Sequence, residues 1–388
     1  MTFDTIRPFY DTEVAEVLKQ IENHPMLKAL LHFTFPDENE QQWAERLSKM
    51  NSIFDFQTQF IYHSVQKILQ NTSEGLSTSG FETLDKNTPY LFISNHRDIL
   101  LDTSLLNVSL YDNQQIMTAS AIGDNLVQKP FLLTLSKLNR NFVVQRNLPP
   151  RELLQSSKTM SEYMYHLLKN ENRSVWIAQR EGRTKDGNDA THQGVLKMIA
   201  MASDETNLMD YFKKLHIVPV SISYEYDPTD ALKMPMLLAQ ANDEVYIKEK
   251  DEDFKTLMSG IMGQKKRIHI HIGTVLNTEL STIAAEFDNT NKQIQATTQA
   301  IDYQIIKNYK LWATNYIAYD LLFDTRQFQD KYTEKEKQLF ERRLEMRIDN
   351  SNPTLREGFL AMYANPVVHF LKLGNQYLCN KNKFLEVP

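Results

Sequence analysis

Between residues 80 and 226, short apolar runs alternate with helical segments, and this pattern restricts the fold more than any other feature of the chain. Runs at 90–94, 115–119, 142–145, 174–179 and 216–223 have the length and composition of strands. Between them, 98–110, 125–138, 151–169 and 191–202 read as helices, the third opened by Pro149 and Pro150. Such alternation predicts an α/β fold: a layered, largely parallel sheet with flanking helices. Runs at 245–248 and 267–272 are candidates to extend the sheet, the second alternating His269 and His271 with Ile268, Ile270 and Ile272. Only 11 glycines stand among 388 residues, which argues for helix and against a glycine-turned all-β fold.

The flanks are helical. Val14, Val17, Leu18 and Ile21 recur at helical spacing, Pro25 interrupts them, and 40–69 reads as one or two amphipathic helices. Residues 71–75 read as a linker. Residues 294–311 and 334–347 are the clearest helices beyond the sheet. The expected organisation is an N-terminal helical region (1–78), an α/β domain (79–279) and a C-terminal helical region (280–388).

The richest chemistry lies at the end of the first strand, in Ser94-Asn95-His96-Arg97-Asp98-Ile99-Leu100-Leu101-Asp102. A neutral imidazole oriented by a carboxylate is a general base. Asp98 and Asp102 lie four residues apart, on one face of a predicted helix. Asp98 also suits the role of helix cap. Asp102 lies among Leu100, Leu101, Leu105 and Leu106, where a charge needs a partner. Asp102 is therefore the favoured orienter and Asp98 the alternative. His96-Arg97-Asp98 also matches the start of a protein-kinase catalytic loop, but that loop requires Asn at the position of Thr103, and no Asp-Phe-Gly follows.

Two further strands lead into cations. The run 142–145 ends at Arg146, and 174–179 ends at Arg180-Glu181-Gly182-Arg183-Thr184-Lys185-Asp186-Gly187. Arginine's planar fork suits phosphate, lysine adds a point charge, and glycine lets a ligand approach the backbone. In an open α/β sheet, ligands sit beyond the carboxyl ends of the strands, where His96, Arg146 and Arg183 all belong. His192 follows the cationic loop and borders that region. His269 and His271 have no third ligand at a convincing spacing, so a structural role is favoured and no metal is expected. The formal net charge of −6 argues against nucleic acid as a partner.

These blocks resemble the glycerolipid acyltransferase family, which includes glycerol-3-phosphate and lysophosphatidic acid acyltransferases. Asn95-His96 with Asp102 resembles the family's first block, although five residues rather than four separate this histidine and aspartate. Arg146 is similar to the arginine closing the second block. Glu181-Gly182-Arg183, continuing to Gly187, resembles the third, with Gly-Arg where relatives have Gly-Thr-Arg or Gly-Gly-Arg. Pro219, within the run 217–225, resembles the proline of the fourth. The resemblance spans roughly 85–226 and implies acyl transfer in phospholipid synthesis, from acyl-CoA or an acyl carrier protein to glycerol-3-phosphate or 1-acylglycerol-3-phosphate. It implies His96 as base and Asp102 as orienter, with Asn95, Arg97, Arg146, Glu181, Gly182, Arg183, Thr184, Lys185 and Pro219 in substrate binding. No cofactor is needed. Two alternatives stand beside it: transfer to another lipid alcohol, such as a hydroxyacyl amino lipid, and a catalytically silent membrane-associated binding protein.

The expected location is the cytoplasm, peripherally on the inner face of the membrane. The single cysteine, Cys379, allows no internal disulfide. The N-terminus lacks the basic and apolar regions of a secretory signal. No apolar run approaches the roughly 18–20 residues needed to span a bilayer. Residues 26–33 and 309–323 are candidates for lipid contact, with packing against the core the favoured reading of both.

Overall fold

The computed structural model describes residues 3–146 and 148–379, with the side chains of 375–379 excepted. Its centre is a seven-stranded sheet in the order β1-β7-β6-β2-β5-β3-β4. The strands are β1 (Ser73–Ser79), β2 (Leu91–Ser94), β3 (Thr118–Gly123), β4 (Asn141–Val144), β5 (Ser174–Ala178), β6 (Ile217–Tyr224) and β7 (Lys266–Ile272). Strands β6, β2, β5, β3 and β4 are mutually parallel, while β7 runs antiparallel to β6 and carries β1 parallel to itself. The fold is thus α/β with a largely parallel sheet.

Helices cover both faces. On one, the helix Leu101–Asp112 packs Leu101, Leu105 and Leu106 against Phe92, Trp176, Val218 and Val220. On the other, Pro150–Lys169, Gln193–Ile199 and Thr290–Lys307 pack against Leu91, Ile93, Val175 and Ile177. Strands buried on both faces are mostly apolar, so β2 and β6 are apolar runs broken only by the buried serines Ser94, Ser221 and Ser223. β7 has one half-exposed face, which is why His269 and His271 alternate with buried isoleucines. Their imidazoles share hydrogen bonds with Ser77 and Ser79 of β1. No group of three or more metal-ligating side chains forms a metal site among the described residues.

Three expectations change. Residues 71–75 are not a linker: the helix Tyr62–Thr72 runs directly into β1, whose sequence Ser-Glu-Gly-Leu-Ser-Thr-Ser carries almost no apolar signal. This edge strand is held by its pairing with β7 rather than by burial of side chains. The strand expected at 115–119 begins later, at Thr118, because Gln114 turns into the left-handed region and Gln115 N–H closes back on Leu110 O (2.8 Å) to end the preceding helix. The run 245–248 adds no strand: Val245 and Ile247 are 90% and 84% exposed, and β-branched residues without a neighbouring strand or a core to cover lack what stabilises a strand.

The terminal helices pack onto this body. Val14, Leu18, Leu27, Leu31 and Phe60 form a core with Phe131 and Leu138. At the other end Ile317, Phe340, Phe359 and Tyr363 form another. Both stretches considered for lipid contact turn most of their apolar residues inward: Leu27 and Leu31 are buried, as are Trp312, Ile317 and Ala318, while Phe323 is exposed. No helix among the described residues is long and apolar enough to cross a membrane.

Candidate active site at the carboxyl edge of the sheet

Because β2, β5, β3, β4 and β6 are parallel, the loops after all of them meet at one edge. β2 delivers Asn95, His96 and Arg97. The Asn95 side chain is buried and spends both its polar ends on β6, donating to Ile222 O (2.9 Å) and accepting from Ile222 N–H (2.8 Å). It pins the loop rather than facing the cleft. The chain then turns, and Asp98 Oδ1 accepts from Leu100 N–H (3.0 Å) and Leu101 N–H (2.8 Å), satisfying orphan donors of the helix that begins there. Burial, reinforced by Asp102, raises the Asp98 carboxyl above the ordinary aspartate range.

Asp102 is the residue that meets the histidine. Its fully buried Oδ2 lies 2.7 Å from His96 Nδ1 and accepts from Arg97 N–H (2.6 Å) and Asp98 N–H (3.0 Å). Oδ1 accepts from Tyr224 Oη at the end of β6 (2.9 Å). Burial and the nearby Asp102 raise the Tyr224 hydroxyl well above the ordinary tyrosine range, so it remains a donor. The carboxylate is thereby fixed by the backbone and one phenol, and it fixes the ring in turn. Trp176 packs edge-on against His96, with ring centroids 5.4 Å apart. Among the described residues Nε2 has no protein partner, and it is the nitrogen available for proton transfer. The helix at 101–112 explains why Asp98 and Asp102 diverge: Asp98 precedes the helix instead of sharing its face.

The cationic loop after β5 is stitched to this dyad. Thr184 N–H donates to the carbonyl of His96 (3.0 Å), and Gln179 N–H to that of Ser94 (2.8 Å). Thr184 is buried, its hydroxyl donating to Asp189 Oδ1 (2.6 Å), and Asp189 also pairs with Arg97 and Tyr309. Arg97 is thus committed to a buried network. Arg183 and Lys185 are different. Arg183 Nη1 is buried with no hydrogen-bond partner. Burial, then the neighbouring charges of Arg183, Lys233 and Lys248, pushes the Lys185 ammonium down to about 7. Cations brought together against their own repulsion, away from water, are chemically suited to accept an anion. Gly182 takes the left-handed backbone (φ 69°) that turns the loop.

Arg146 stands half-buried after β4. Its N–H donates to Asp124 Oδ2 after β3 (3.2 Å), and Nη1 lies 3.8 Å from the largely exposed Glu181 carboxylate. Three loops expected to converge therefore do so: His96, Arg146 and Arg183 share one edge. Pro219 is elsewhere, paired with Ile93 inside the sheet, its carbonyl accepting from Gly273 N–H (2.8 Å). His192 follows the cationic loop, its N–H donating to Gln179 O (2.9 Å).

Several residues of the site escaped the sequence. Tyr224, Asp189 and the buried pair Lys233–Asp227 have partners more than a hundred residues away or lack any local pattern. Burial works against the Asp227 carboxylate, but Lys233 overrides it and takes it down to about 2.

A family model described as Acyltransferase matches residues 76–223, the stretch that contains β2 to β5, nearly all of β6 and the loops that carry His96, Arg146 and Arg183. No curated protein matches the chain. Among solved structures, the 1-acyl-sn-glycerophosphate (LPA) acyltransferase PlsC from Thermotoga maritima aligns at 10% identity over 75% of this chain and 91% of that one, with a TM-score of 0.35.

Proposed function

We propose, from the match of residues 76–223 to an acyltransferase family model, that this chain moves a fatty acyl group from a thioester, acyl-CoA or acyl carrier protein, to a hydroxyl of glycerol-3-phosphate or 1-acylglycerol-3-phosphate. One observation carries this reading: Thr184, whose N–H donates to the carbonyl of His96 in the His96–Asp102 pair, stands between Arg183 and Lys185, which form no ion pair within 4 Å among the described residues. A base for an alcohol and a seat for a phosphate fit one molecule carrying both.

In this mechanism His96 Nε2 takes the proton of the acceptor hydroxyl. The oxygen attacks the thioester carbonyl, the carbon–sulfur bond breaks, and the departing sulfur takes the proton from the imidazolium. An ester and a free thiol result. Asp102 stabilises the charged ring. Arg183, Lys185 and Arg146 hold the phosphate, so the hydroxyl is presented to His96 by positioning. The test is a panel of acceptors with both donors, read by thiol release and product mass. Transfer to glycerol-3-phosphate or lysophosphatidic acid, with phosphate-free alcohols poor, is expected. Transfer favouring a phosphate-free lipid alcohol refutes the acceptor assignment, and no thiol release with any pair refutes the enzyme.

Lys185 gives the reaction a pH dependence. Its ammonium, with a pKa of about 7, is charged below that value and binds the anion; above it the charge is lost. Phosphate monoesters complete their second ionisation near pH 6, so the acceptor KM rises from pH 7 to 8.5 on account of the lysine. Lys185→Arg keeps its charge and flattens that rise. A wild-type KM constant over this interval excludes Lys185 from the phosphate.

Contact with a lipid surface belongs to the same proposal. Leu153 and Leu154 (63% exposed), which open the helix after Arg146, and above all Val245 and Ile247 are among the exposed apolar residues near this edge. The loop of Val245 and Ile247 is tied to it through Lys248–Asp253 and Asn125–Asp253 (3.2 Å). The protein is expected to float with phosphatidylcholine vesicles containing lysophosphatidic acid, and Val245→Ser with Ile247→Ser to lower the bound fraction at least about twofold. Unchanged flotation of the double variant removes the loop from the contact.

A further inference from the structure

We propose that the C-terminal helix Pro353–Cys379, well outside the family-matched residues, is a working part of the phosphate seat, holding the cationic loop in its anion-binding shape. The inference rests on the reading that Arg183 and Lys185 bind the acceptor's phosphate.

Three residues of the helix, Met362, Tyr363 and Asn365, support it. Asn365 Nδ2 donates to the carbonyl of Asp186 (2.7 Å), one residue beyond Lys185. Gly187 follows, with φ 74°, and a Cβ there would stand 2.2 Å from the carbonyl oxygen of Met362. The helix backbone therefore lies directly against the end of the loop, in a space that only glycine leaves open. Tyr363 Oη accepts from Asp227 N–H (3.1 Å) and donates to Asp230 Oδ2 (2.9 Å). That fixes the segment whose Asp227 pairs with Lys233, another of the charges that act on Lys185. The helix thus touches both sides of the cation cluster.

The cluster has reason to need such support. Arg183, Lys185 and Lys233 repel one another before an anion arrives, and a free loop would swing its cations toward water. A loop fixed at Asp186 and Gly187 keeps them gathered, so the ordering is complete before the anion binds. Asn365 is accordingly a positioning residue, with no contact to the acceptor.

The test uses the full chain. Calorimetric titration with inorganic phosphate and with glycerol-3-phosphate is compared for the wild type, Asn365→Ala and Asn365→Gln, alongside acyl-transfer kinetics. Losing this half-buried donor should weaken both ligands about three- to tenfold and raise the acceptor KM equally. The donor KM, kcat and melting temperature should stay near wild type, and the glutamine variant, which keeps a donor, should recover part of the loss. Gly187→Ala, which drives a methyl group into the Met362 carbonyl, should lose more than tenfold. Unchanged phosphate affinity in folded Asn365→Ala overturns the inference, as does an equal loss for donor and acceptor. Wild-type protein that binds neither ligand overturns it together with the phosphate reading. Wild-type protein that binds phosphate but transfers no acyl group overturns only the enzymatic reading, and the comparison of Asn365→Ala with wild type still decides the role of the helix.

Discussion

His96→Ala is expected to lower kcat with saturating donor and acceptor by about 10³- to 10⁴-fold, the upper part of the range for removing a general base. The loss should appear in kcat and not in the acceptor KM, because in the proposed mechanism Arg183 and Lys185 hold the phosphate, and those cations do not depend on the imidazole ring. Calorimetric affinity for glycerol-3-phosphate should stay within about twofold of wild type. The fold should survive. His96 contributes one edge-on ring contact with Trp176 and one hydrogen bond to Asp102, while Asp102 keeps its bonds from two backbone N–H groups and Tyr224. Residual activity will come from holding two substrates together. Folded His96→Ala with near wild-type kcat would dismiss the histidine as the base, and with it the chemical half of the mechanism.

What made that histidine legible was its setting. β2, β5 and β6 are buried on both faces, so their sequences are predominantly apolar runs, and the residues that follow them are the polar ends of strands. His96 and Arg183 could be placed on one edge from the strand–helix alternation alone. The edge strand β1 could not, because half-exposed polar residues say nothing about a partner 191 residues away. The same limit hid the supports of the site. Tyr224 reaches Asp102 across 122 residues, and Asn365 reaches Asp186 across 179. Buried lysines were illegible for a related reason. Lys233 and Lys265 look like ordinary surface residues until Asp227 and Thr72 are folded against them. The sequence placed Asp98 and Asp102 on one helical face; the turn before Leu101 separates them, and only the folded chain assigns the first to the helix end and the second to the imidazole.

That separation gives the second large effect a built-in control. Asp102→Asn should cut kcat by about 10²- to 10³-fold, whereas Asp98→Asn should change it less than about threefold. The asparagine at 102 can preserve the geometry. Tyr224 Oη accepts as well as donates, so the amide nitrogen can face the tyrosine while Oδ1 receives Arg97 N–H, Asp98 N–H and His96 Nδ1. What disappears is the negative charge that stabilises the imidazolium in the transition state, so the loss is one of rate, with the acceptor KM unmoved. At position 98 asparagine remains a good cap for Leu100 and Leu101, and a carboxyl already raised by burial surrenders little when made neutral. Paired measurement of kcat and melting temperature decides between the two aspartates. If Asp98→Asn proves the slower enzyme while Asp102→Asn turns over normally, the hydrogen bond from His96 to Asp102 is structural, and the base, if His96 is one, draws its orientation from elsewhere.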